Sequence, residues 1–187
     1  MTQKKQVQPI VQGDIQLRLI RLEDLQAYFK AGFEQDDEEI MRLTGTKTRF
    51  SLPQIESYLN RIVDDPSRYD FLICHSDGQI IGESVLNEID EEVRSAHFRI
   101  CLFRSDLCGK GTGSTAVKET VRFGFEELGM HRIDLEVFDF NERAYRSYLR
   151  AGFREEGRKR DAEWIDGRYV DVILMAILEE EWTTSIR

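Results

Sequence analysis

The sequence predicts an α/β (α+β) fold in one domain, a mixed sheet with helices on both faces. Three observations carry that prediction. Apolar residues switch repeatedly between a period of two and a period near 3.6. Two strand pairs are joined by turn signals, Ser76-Asp77-Gly78 and Asp166-Gly167. Past mid-chain, a strand feeds a glycine-rich turn that opens a helix. A chain of 187 residues can bury most of its unfolded surface in one core.

The elements follow in order. Residues 15–20 alternate as a strand, and residues 22–33 place Leu25, Phe29 and Phe33 at helical spacing. The acidic run 34–39 leads into a short loop or helix. Ser51-Leu52-Pro53-Gln54 starts a helix with Ile55, Tyr58, Leu59 and Ile62 on one face, closed before Pro66. Residues 71–74 and 80–87 form a hairpin. In the strand at 96–103, Phe98, Ile100 and Leu102 alternate with His97, Arg99 and Cys101. The next helix carries Ala116, Val117, Val121, Phe125 and Leu128 and ends at Gly129. A strand at 131–138, a helix at 141–150 ended by Gly152, and strands at 153–164 and 169–178 complete the chain. Residues 1–14 are expected to be a flexible terminus, and 15–180 the domain.

Charge narrows the function classes. Lys and Arg number 26 against 35 Asp and Glu, a net −9 that leaves no basic footprint for nucleic acid. Such a chain attracts cationic partners such as amines. No apolar run approaches the roughly 18–20 residues of a membrane span. Cys74, Cys101 and Cys108 have no metal-ligand spacing. With no secretory leader in the sequence, they indicate a reducing cytoplasm.

The turn Cys108-Gly109-Lys110-Gly111-Thr112-Gly113 presents backbone N–H groups at a helix N-terminus, where the dipole favours a phosphate. Lys110 adds a mobile positive charge. A Walker A loop would need Lys-Ser/Thr after its last glycine, whereas Ser114-Thr115 follows here. A dinucleotide fingerprint would sit in an early βαβ unit.

Beyond the loop comes Asn141-Glu142-Arg143-Ala144-Tyr145-Arg146-Ser147-Tyr148-Leu149-Arg150-Ala151-Gly152-Phe153. Together, strand, loop and this segment resemble the GNAT superfamily of acetyl-CoA-dependent N-acetyltransferases. Within it the chain is most similar to the branch of ribosomal-protein N-terminal and polyamine acetyltransferases. The resemblance runs from Ile15 to Leu178 and is most specific between His97 and Phe153. It implies a mostly antiparallel sheet of about six or seven strands with splayed central strands. It also implies acetyl-CoA as cosubstrate: Cys108, Gly109, Lys110, Gly111, Thr112 and Gly113 cradling the pyrophosphate, Ile100, Cys101 and Leu102 along the pantetheine, and Asn141 bonding the cofactor arm. Cys108 stands where the family usually has Arg or Gln.

Amide formation from a thioester needs a neutral amine, a donor for the developing oxyanion and a proton for the leaving thiolate. A backbone N–H near Cys101 or Leu102 is the expected donor. Tyr148 matches the family tyrosine beside the sulfur, and a phenol can protonate a thiolate of similar basicity. His97 is the first candidate base and Glu83 the second; bound water is a third route, and a structural role for His97 stays open. Cys101 and Cys108 raise an acetyl-cysteine alternative, but sequence spacing sets no histidine beside either. The acidic run could steer a cationic amine or be a solvated face. Polyamine enzymes tend to carry an acidic pair where this chain has Thr46 and Lys47.

The leading expectation is therefore acetyl transfer to a primary amine, a protein N-terminus favoured, by direct attack in a ternary complex. The alternatives are a small-molecule acetyltransferase for polyamines or an aminoglycoside, and a non-catalytic CoA-binding sensor. A homodimer is left open.

Overall fold

A computed structural model describes residues 4–185. In chain order the elements are β1 (Ile10–Gln12), β2 (Ile15–Leu19), α1 (Leu25–Gly32), α2 (Glu38–Thr44), α3 (Leu52–Ile62), β3 (Tyr69–His75), β4 (Ile80–Asp90) and β5 (Ser95–Leu102). There follow α4 (Thr112–Glu126), β6 (Arg132–Phe138), α5 (Glu142–Arg150), β7 (Arg154–Ile165), β8 (Arg168–Leu178) and α6 (Glu179–Ser185). The eight described strands form one sheet in the order β1-β2-β3-β4-β5-β6-β8-β7. That is one strand above the expected range. The addition is β1, three residues long, paired antiparallel to β2 within the stretch expected to be a flexible end. A run this short has no readable period and becomes a strand only when an edge is there to receive it. No helix among the described residues is long and apolar enough to cross a membrane.

The helix starts have local causes. In α3 the Ser51 N–H donates to Gln54 Oε1 at 2.8 Å, and Pro53 sits in the first turn. Asp37 caps α2 by accepting from the Ile40 N–H, and Gly45 closes it with φ 67°. The sheet then divides the apolar residues. One face packs Leu72 against Tyr28, Ile55, Leu59 and Ile62 of α1 and α3. The other packs Phe71, Phe98 and Ile133 against Val117, Val121 and Phe123 of α4.

The site is positioned by a break in pairing. All neighbouring strands are antiparallel except β5 and β6, which are parallel and pair only at Ser95↔Arg132, Ala96↔Ile133 and His97↔Asp134. Beyond His97 the two strands part: β5 stays with β4, while β6 continues along β8 to Phe138. The expected splay is therefore present, and it opens at Phe98. On the other side of β5, contact is close. A Cβ on Gly82 would lie 2.4 Å from the Cys101 carbonyl oxygen, so only glycine allows β4 to approach β5 there.

Candidate active site

Two cavities, of about 740 and 900 Å³, adjoin the opening, and Arg99 and Cys101 border both. The first lies along Ile100, Cys101 and Leu102, under the turn bearing Cys108, Gly109, Gly111 and Gly113, and reaches Asn141 and Tyr148 on α5. Eight of the ten residues expected to bind the cosubstrate, together with Tyr148, thus converge, whereas Lys110 and Thr112 are not on the wall.

The turn suits an anion. Gly109 and Gly111 have φ of 79° and 93°, and no atom lies within 4 Å of a Cβ built on either. Gly111 is the N-cap of α4, so the free N–H groups of that helix face an unobstructed approach. A phosphate fits there on steric and electrostatic grounds. Asn141 caps α5, its Oδ1 accepting from the Ala144 N–H at 3.2 Å, and its amide nitrogen has no partner among the described residues. Strand alternation fixes which backbone N–H groups face the opening. The Phe103 N–H bonds Ile81 of β4, so Cys101 also points to β4, and the Ile100 and Leu102 N–H groups face the opening.

Tyr148 is buried, packed edge-on against Phe98 and Phe153 at 6.2 and 5.9 Å between ring centroids. Its hydroxyl has no hydrogen-bond partner among the described residues. Burial, then the neighbouring Cys101, pushes its pKa well up, so the phenol keeps its proton. Burial also raises the Cys101 and Cys108 thiols, the wrong direction for a nucleophile.

Glu83 and His97 part company. Glu83 is on the second cavity's wall, directly opposite Cys101 in the β4–β5 register. Its Oε2 accepts from the Tyr28 hydroxyl, and its Oε1 from Arg99 at 3.0 Å. His97 is on the wall of neither cavity. It sits where β5 and β6 are still paired, and its Nδ1 meets Asp134 Oδ1 at 2.7 Å.

Around Glu83 lies a polar cluster that sequence reading missed. Arg99 also donates to the Tyr58 hydroxyl at 2.8 Å, and Arg68 donates to the same oxygen at 3.0 Å. Arg68 grips the buried Asp70 with two bonds of 2.8 and 2.7 Å. Burial pushes the Tyr58 phenol up to about 12. The alternation of charged residues with Phe98 and Ile100 was visible, but not what the charges meet. Three of the five carboxylates in the acidic run are engaged: Asp36 pairs with Arg49 at 2.7 Å, Glu39 with Arg42 at 2.9 Å, and Asp37 caps α2.

The chain is similar to known proteins in the same terms. It matches the family model of the acetyltransferase (GNAT) domain over residues 14–154. A spermidine N(1)-acetyltransferase of Vibrio cholerae is 32% identical over 132 residues, 71% of this chain and 76% of that protein. A putative ribosomal N-acetyltransferase of Bacillus subtilis is 29% identical over 57% of each chain. A crystal structure of the Vibrio cholerae spermidine N-acetyltransferase with CoA and spermine superposes with a TM-score of 0.81 at 28% identity, covering 91% of this chain and 98% of that one. Glycine cradle, splayed strands and these matches agree: the chain belongs to the GNAT acetyltransferase family and is an N-acetyltransferase that draws its acetyl group from acetyl-CoA.

Proposed function

We propose that the acceptor is the primary amine of a small molecule, acetylated by direct attack while both substrates are bound. The observation that carries this reading is the shared border of the two cavities at Arg99 and Cys101, which lets an acceptor in one reach an acyl group held in the other. The protein N-terminus favoured by sequence ranks behind it, because the spermidine enzymes among the relatives act on a small amine.

Acetyl-CoA supplies an activated acyl group; the rest is the work of the chain. The cradle from Cys108 to Gly113 binds the pyrophosphate, and the Asn141 amide nitrogen holds the pantetheine arm. The Ile100 or Leu102 N–H stabilises charge developing on the carbonyl oxygen. Glu83 receives the amine proton, directly or through water, since a carboxylate with two engaged oxygens keeps further lone pairs. Tyr148 gives its proton to the departing sulfur. The three free thiols and the acetyl-CoA requirement fit a cytoplasmic enzyme.

The test is thiol release from acetyl-CoA with a panel of small amines, polyamines and N-terminal peptides. Turnover of small amines at kcat/KM above that of peptides is the expected result. Turnover confined to peptides would overturn the reading.

A further inference from the structure

We infer that the acceptor carries an anionic group such as a carboxylate beside its amine, and that Arg99 and Arg61 receive that group. This rests on the reading that the larger cavity holds the acceptor. The wall of that cavity bears four cations, Lys47, Arg61, Arg68 and Arg99, and three carboxylates, Asp36, Asp37 and Glu83; Lys47 and Arg68 are paired with Glu163 and Asp70 from outside the wall. The carboxylates are already occupied. Asp36 pairs with Arg49, Asp37 accepts from Ser105, and Glu83 is held between Tyr28 and Arg99.

Two of the cations, Arg99 and Arg61, are less fully used. Arg99 is fixed by Glu83 and Tyr58, with Asp70 3.8 Å away, yet its side chain stays 42% exposed, and a guanidinium has five N–H donors. Its Nη1 and Nη2 are each engaged once, which leaves further N–H donors held in place for a carboxylate. Arg61, one turn along α3 from Tyr58, lies over the Tyr58 ring at 5.7 Å and has no carboxylate partner among the described residues. Position gives the order of charges. Arg99 and Cys101 lie two residues apart on one face of β5, and the Arg99 side chain reaches back to Glu83, so both ends of one small molecule can be met there. Glu83 sits opposite Cys101. An ammonium entering beside Glu83 would carry its carboxylate toward the guanidiniums. A polyamine in the same pose would bring a second ammonium to Arg99 and Arg61, with like charges facing one another.

The experiment compares ω-amino acids from glycine to 6-aminohexanoate with alkylamines of the same length and with spermidine, by thiol release. At least one amino acid should exceed its matched alkylamine about tenfold or more in kcat/KM, mainly through KM. Arg61→Gln, at an exposed helix position, should cut that ratio several-fold while the melting temperature stays put. Arg99→Lys, which keeps the charge and loses the fork, should do the same. Preference for alkylamines or spermidine over every amino acid, or a ratio indifferent to both variants, would overturn the inference and leave the small-amine reading standing. Acetyl-CoA binding without turnover of any small amine would overturn both.

Discussion

Asp37 holds Ser105: one carboxylate oxygen accepts the Ser105 N–H at 2.7 Å and its hydroxyl at 2.8 Å. The other oxygen caps α2 at the Ile40 N–H. One side chain thus ties α2, which borders both cavities, to the turn that leads into the glycine cradle. Burial alone would raise this carboxyl; the Ser105 and Ile40 donors outweigh it and hold the group below its ordinary range.

Asp37→Ala should therefore cost about 1–2 kcal/mol of stability, as loss of a helix cap does. It should also weaken acetyl-CoA binding. Chemical denaturation and calorimetry read the two effects. The depressed pKa gives stability that is present at neutral pH and lost as pH falls through the folded-state value. The wild-type advantage over Asp37→Ala should shrink in acid.

Tyr148→Phe keeps the ring that packs on Phe98 and Phe153 and removes only the hydroxyl. A loss in kcat of about 10²-fold, with acetyl-CoA affinity kept, is expected of a general acid. Since burial raises this phenol, no alkaline fall in rate from its titration should appear below pH 10. An unchanged kcat would remove Tyr148 from the mechanism.

Gly82→Ala sets a methyl group against backbone, which cannot swing aside. The β4–β5 seam must shift at Cys101, where the two cavities meet. Destabilisation of about 1–3 kcal/mol, with an increase in acetyl-CoA KM, is the expected outcome. Full stability and unaltered KM would show that the seam yields freely.

His97 is raised above its ordinary pKa first by its hydrogen bond to Asp134 and then by that residue's charge. A raised folded-state pKa adds stability that is complete below the unfolded value, near 6.5, and fades as pH rises through the folded one. The stability gap between wild type and Asp134→Asn should be wider at pH 5.5 than at pH 8.5. At a half-exposed pair it should stay under about 1 kcal/mol. If the gap is flat while His97→Gln lowers kcat, the histidine acts in the chemistry instead.

Much of this protein is written locally. Alternation at residues 15–20 and 96–103, the Ser51-Pro53-Gln54 start and Gly111 before α4 each depend on neighbours a few residues away, so one stretch of sequence suffices to read them. The Gly109 to Gly113 turn and Asn141 with Tyr148 are legible for the same reason: a backbone cradle and a helix face need only spacing. The strand β1 exists only by pairing with β2, and no local pattern announces it. The polar cluster beside the second cavity is the larger omission. Tyr28, Tyr58, Asp70, Glu83 and Arg99 come from α1, α3, β3, β4 and β5, and of these only Glu83, as a candidate base, carries a meaning before the sheet sets them side by side. A run of carboxylates at 34–39 reads as an acidic patch in one dimension, yet three of its five charges are claimed by Arg49, Arg42 and Ser105. Sequence determined the fold, the cosubstrate and the reaction. Tertiary contact decided which charges line the second cavity, because a charge acts through its neighbours in space and few of those are neighbours in the chain.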